Sequence, residues 1–156
     1  MSETNEPMID LPALRELIQG KKVLVDSNII IYLTEQTEPY CQLSRALFSL
    51  IEEGICQSII SILSVSEVMQ GPLRAGRTGT AMAVKNYLVN FPNSYCQHIN
   101  AEVLDLVGVD ERVNWETLRA VDCLIIASGL HAEADLFISN DRHFMKSLPP
   151  EMLLSL

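Results

Sequence analysis

The chain has 156 residues, 48% of them apolar, and a formal net charge of −9. That length suits one domain with a proper core rather than two, and the apolar content excludes a disordered chain. The acidic balance argues against a protein held to nucleic acid by bulk positive charge, unless carboxylates are gathered around a cation.

The opening MSETNEPMID is acidic and has no basic or apolar region of a secretory signal. Apolar stretches fall far short of a membrane span, so the expected location is cytoplasmic, with no membrane partner. Residues 1–10 read as a loose tail and Leu11–Ile18 as a short amphipathic helix that Gly20 stops. Residues 1–20 thus form a lead-in, and residues 21–156 the domain proper.

Within KKVLVDSNIII (21–31), the apolar run predicts a buried parallel strand over 22–26. Asp26-Ser27-Asn28 reads as a turn and the start of a helix over 28–34. Residues 35–39 read as a loop and 41–53 as a helix ended near Gly54. A second strand follows at 55–61, then a helix over 63–70 that Gly71-Pro72 breaks. GPLRAGRTGT (71–80) reads as a mobile, positively charged connection. A helix over 80–90, a strand over 94–99 and a helix capped by Asn100 come next. Then come the most apolar helix (117–131), a strand (136–139), a helix (141–148) and a closing strand (152–155). Strands alternating with helical patterns predict a parallel α/β sheet with helices on both faces.

Cys41, Cys56, Cys96 and Cys123 form no CxxC pair and stand at no zinc-finger spacing. They read as free, buried small hydrophobes. Trp115 reads as a packing residue, and His131 and His143 as satisfied lone histidines.

Four acids stand where this architecture places its chemistry, past the carboxyl ends of strands. Asp26 ends the first strand, Glu67 lies on the helix after the second, and Asp141 follows the fourth. Asp122 sits in the apolar run Ala120–Ala127, where an ionised carboxylate is expensive to bury without a cation or several donors. Each has a plainer explanation. Asp26 and Asp141 can cap helices. Ser64 and Glu67 fit a capping box. Asp122 can pair with Arg119 three residues earlier. Taken jointly, four carboxylates at one sheet edge would repel one another, and a hard divalent cation removes that cost. Such a cation suits phosphodiester hydrolysis.

Asp26-Ser27-Asn28, Ser66-Glu67-Val68, Asp122-x-x-Ile125-Ile126-Ala127 and Ser139-Asn140-Asp141-Arg142-His143-Phe144, in this order across residues 22–155, resemble the PIN-domain nucleases. The resemblance implies a PIN-like three-layer α/β/α sandwich with a mainly parallel central sheet. It also implies a Mg²⁺- or Mn²⁺-dependent endoribonuclease that leaves a 5′-phosphate and a 3′-hydroxyl. Small single-domain members are mostly toxins of VapBC-type toxin–antitoxin modules, so an antitoxin partner and a homodimer are implied too. By the resemblance, Asp26 and Asp141 would ligate the metal, with Asp122 and Glu67 completing the cluster directly or through water. Asn28, Ser139 and Asn140 would orient ligands or water. Arg74, Arg77, Lys85, Arg119 and Arg142 are candidates for RNA backbone contacts, against ordinary solvated surface charge. The lead-in helix and the strong acidity depart from the expected pattern.

Two rival functions follow from the same residues. A haloacid-dehalogenase-type phosphatase also opens with an aspartate after its first strand. It wants a second aspartate two positions on, where this chain has Asn28. The other rival is a PIN-like fold kept as a binding or scaffolding module without turnover.

Overall fold

The computed structural model describes residues 9–156; most of the loose tail expected over 1–10 lies outside them. Helix α1 (Leu11–Ile18) starts where Asp10 accepts a hydrogen bond from Ala13 N, and it buries Leu14 and Ile18. Strand β1 (Lys22–Val25) follows, all buried beyond its first residue. Then come α2 (Ser27–Thr34), α3 (Cys41–Glu52), β2 (Gln57–Ser61), α4 (Ile62–Arg74), α5 (Thr78–Val89) and β3 (Ser94–Gln97). The chain ends through α6 (Ala101–Asp105), α7 (Ala120–His131), β4 (Leu136–Ile138), α8 (Arg142–Ser147) and β5 (Leu153–Leu154).

The five strands form one sheet in the order β3-β2-β1-β4-β5, every pair parallel. Alternation along β1 sends Val23 and Val25 to one face and Leu24 to the other. The first face packs Ile60 and Ile138 against Leu14, Ile30, Leu47, Val65 and Leu88 from α1 to α5. The second packs Leu24, Ile59 and Phe137 against Ile125, Ile126 and Phe144 from α7 and α8. This is a three-layer α/β/α sandwich. α7 lies close on its sheet face, because Gly129 meets Phe137 and Leu24 where a side chain would stand.

Two local expectations are corrected. Gly71-Pro72 does not break α4, which continues to Arg74. The proline falls in the last turn, where few amide bonds remain to be lost, and Gly71 leaves room for the Glu35 carboxylate packed against it. The connection expected over 71–80 shrinks to residues 75–77, with α5 starting at Thr78. Nor is Ser64 the cap of a box with Glu67. The cap is Ser61, which accepts from Leu63 N at 3.3 Å, and Ser64 is buried inside the helix. The most apolar helix starts at Ala120 rather than 117, preceded by a 3-10 turn at Trp115–Thr117. Trp115 packs against the second core and donates Nε1–H to the Asp110 carbonyl.

Candidate active site

The carboxyl ends of β1 and β4 lie side by side, with Val25 paired to Ile138. The residues after them meet there. Asp26 is buried as the N-cap of α2, and its Oδ1 accepts from Ser27 N at 2.8 Å. Its Oδ2 accepts from Ser139 Oγ at 2.7 Å. Ser139 Oγ in turn accepts from Asp141 N at 3.0 Å, so one hydroxyl ties the two aspartates together. Asp141 caps α8, with Oδ1 accepting from the amides of His143 and Phe144. The Asn28 side-chain oxygen accepts from Asn140 N, and Asn140 also fastens the chain end through Leu156.

Glu67 joins from α4. Ser27 Oγ donates to Glu67 Oε1 at 3.2 Å and lies 3.4 Å from Asp26 Oδ1. Asp122 stands in the first turn of α7, buried, with Arg119 Nε donating to its Oδ2 at 3.0 Å. The plainer pairing of Asp122 with Arg119 is therefore realised. The starts of α2, α7 and α8 hold the three aspartates, and helix N-termini favour nearby negative charge; Glu67 stands in the second turn of α4.

The acids share one electrostatic field. Burial first, with the Glu67 and Asp141 charges adding to it, pushes the Asp26 carboxyl up to about 6 against the bonds from Ser139 and Ser27. Burial, with Asp122 and Asp141, also raises Glu67, while the Arg119 charge pulls it down. Charge repulsion of this kind, among hard oxygen donors, is what a divalent cation relieves. In donor chemistry the residues fit such an ion. In geometry they are still splayed: among the described residues, no three acid, histidine or cysteine side chains converge at metal-holding distance.

The basic candidates divide. Arg119 sits on the cluster, and Arg142 opens α8 beside Asp141. Arg74 closes α4 roughly 10 Å along the helix axis from Glu67, and Arg77 precedes α5. Lys85 is half-buried within α5. Among the described residues, none of these three pairs with an acid. A separate cavity of about 500 Å³ lies at the amino ends of β1 and β2 and along β3, lined by Lys22, Gln57, Tyr95, Gln97 and His131. It contains none of the four acids. His131 is satisfied there by Gln97 at 3.1 Å.

Ser27 is a site residue that spacing did not single out, although it stands inside the Asp26-Ser27-Asn28 triplet. Tyr32 is another. It stacks on Tyr40 with ring centroids 4.7 Å apart and lies near Asn140, within the field of Asp26. Its position one helical turn beyond Asn28 was the available signal.

Comparison with known proteins agrees with this fold. The sequence model of the PIN domain matches residues 23–147. No curated protein matches the chain by sequence. Among solved structures, the chain is similar to VapBC2 from Rickettsia felis bound to a promoter DNA fragment. That likeness has 14% identity and a TM-score of 0.61, covering 86% of this chain and 98% of that one. A toxin–antitoxin complex from Klebsiella pneumoniae is similar at 19% identity and TM-score 0.58, covering 85% and 95%. VapC20 of Mycobacterium tuberculosis, described as a toxin cleaving the sarcin–ricin loop, is similar at 16% identity and TM-score 0.58, covering 80% and 93%. These likenesses establish the fold, and the sequence match over most of the chain establishes the family: the protein belongs to the PIN-domain family.

Proposed function

We propose that the protein is a Mg²⁺- or Mn²⁺-dependent endoribonuclease and the toxin of a toxin–antitoxin module. The observation that carries this reading is the buried Asp26 carboxylate, tied through Ser139 to Asp141 and through Ser27 to Glu67, within the field shared with Asp122.

Asp26, Asp141, Asp122 and Glu67 would hold the cation. A bound divalent ion supplies an activated water and neutralises phosphoryl charge during in-line displacement. The chain's own residues set the geometry for it. Ser139 fixes one oxygen of Asp26 and the start of the Asp141 turn. Asp141 Oδ1 accepts from two helix amides, and among the described residues Oδ2 has no partner. Asn28 and Asn140 lock the two loops to each other. Arg119 and Arg142 stand beside the acids as contacts for RNA phosphates, and Arg74, Arg77 and Lys85 extend the basic side chains along α4 and α5. The products are a 5′-phosphate and a 3′-hydroxyl.

An antitoxin partner draws support from the relatives solved as VapBC and toxin–antitoxin complexes. A homodimer is part of the same reading, as is a cytoplasmic setting; among the described residues no helix is long and apolar enough to cross a membrane. The ion pair that turns Asp122 toward Arg119 favours a second reading, a PIN-fold binding module without turnover.

Cleavage separates the two. A mixed RNA pool is incubated with purified protein in Mn²⁺, Mg²⁺ or EDTA, beside Asp26→Asn and Asp122→Asn. Discrete products that need metal and vanish in both variants are expected. Metal-dependent cleavage that survives both substitutions would refute the site assignment.

A further inference from the structure

Among the described residues, Arg119 is the one cation that forms an ion pair with any of the four acids. Its Nε and Nη2 lie 3.0 and 3.5 Å from the two oxygens of Asp122. The two ends of this pair differ in setting. The Asp122 side chain is 7% exposed and Arg119 is 66% exposed. The carboxylate is fixed in the first turn of α7, while the guanidinium hangs over the site from solvent. Glu67 and Asp141 feel the same positive charge. Among the described residues, Asp26 has no cationic partner.

A buried carboxylate needs a counter-charge. With Arg119 in place, Asp122 has one, and both of its oxygens face the arginine. This accounts for two findings together: Asp122 tolerates its apolar surroundings, and the four acids stand splayed. A divalent ion and the guanidinium would compete for the same oxygens. Releasing an exposed arginine costs little, because its head returns to water.

We propose that Arg119 is a resident counter-cation of Asp122 that a divalent ion displaces when it binds. The inference rests on the metal-dependent reading of the site and adds to it a built-in competitor for the metal. Either cation supplies the counter-charge that the buried Asp122 carboxylate needs, so the exchange never leaves it unpaired. It also sets a threshold, since the site loads only when the free ion outcompetes the chain's own arginine.

The test measures Mn²⁺ binding by the loss of free-ion electron paramagnetic resonance signal in wild type, Arg119→Gln, Arg119→Lys and Asp26→Asn. In parallel, the Arg119 Nε–H nuclear resonance, identified by its absence in Arg119→Gln, is followed during Mg²⁺ titration. Arg119→Gln is expected to bind Mn²⁺ about 2- to 5-fold more tightly than wild type, the range for a pair with one exposed member. Arg119→Lys should fall between them, and the Nε–H signal should shift and broaden as Mg²⁺ enters. Equal or weaker Mn²⁺ binding by Arg119→Gln, with Asp26→Asn still losing it, would overturn the competitor role and leave the metal site standing. No Mn²⁺ binding by either protein would overturn both. An Nε–H signal unmoved at saturating Mg²⁺ would show that Arg119 stays on Asp122 and refute displacement.

Discussion

Ser139 Oγ donates to Asp26 Oδ2 at 2.7 Å and accepts from Asp141 N at 3.0 Å, so a single hydroxyl spans the ends of β1 and β4. Both of its neighbours in this chain of bonds are proposed ligands. Ser139→Ala would leave a buried carboxylate oxygen and a half-buried amide without partners. The expected cost is about 1–3 kcal/mol of stability, read as a lower urea midpoint. Metal affinity and RNA cleavage should fall about 10- to 100-fold, as for other groups that orient metal ligands. Ser139→Thr keeps the hydroxyl and should recover most of both.

Gly129 on α7 is held against the sheet. A Cβ there would lie 2.5 Å from Phe137 Cε1, 2.7 Å from its Cζ and 2.8 Å from Leu24 Cδ1. All three atoms belong to fully buried side chains with nowhere to move. Gly129→Ala should gain up to about 1 kcal/mol in helix propensity and lose more to overpacking, typically 1–3 kcal/mol. A net fall in the urea midpoint with an unchanged slope is expected.

How far the chain was legible depends on how local each feature is. The run Val23-Leu24-Val25 announces a doubly buried strand, and Asp26 directly after it falls at the sheet's carboxyl edge. Asn100 was read as a cap and accepts from Val103 N. Glu67 is different. Its local sequence fits a capping box as well as the acidic cluster, and the contact with Ser27, forty positions earlier, decides between them. Pro72 misled for the same reason: a breaker was legible, but not that it falls in a helix's final turn. Asp122 was legible as costly, and its partner Arg119 was in view at helical spacing. Which of its roles the carboxylate serves is a matter of competing cations, and no spacing rule contains that.

Cys56 is 2% exposed, and burial pushes its thiol up to about 11. At pH 8 only about one part in 10³ is thiolate, and the thiolate is the reactive form. Cys56 should therefore resist an aromatic disulfide reagent in the folded protein and react fully in 6 M guanidinium. Peptide mapping after timed labelling reads this directly. Fast labelling of Cys56 without denaturant would mean that the layer of α3 over the sheet opens readily.

Burial and neighbouring carboxylates raise Asp26 to about 6, above the ordinary aspartate value of 3.8. The folded state then binds more protons than the unfolded chain between those two values. The Asp26 contribution to stability is fully present below 3.8 and is lost as pH rises through about 6. In EDTA, wild type should lose stability relative to Asp26→Asn between pH 5 and pH 7.5, as measured by urea unfolding at each pH. Glu67 is shifted in the same direction and adds to the trend. A divalent cation should reverse it, because the ion prefers the ionised carboxylates and binds only the folded chain. At a free Mn²⁺ concentration 100 times the dissociation constant, the gain would be about 2.7 kcal/mol at pH 7.5, shrinking toward pH 5 as protons compete. Asp26→Asn should keep only the part of the metal-free decline that Glu67 contributes and should lack the full metal-dependent gain. If wild type and variant ran parallel across the range with and without Mn²⁺, Asp26 would be neither the strained group of the empty site nor a ligand of the loaded one.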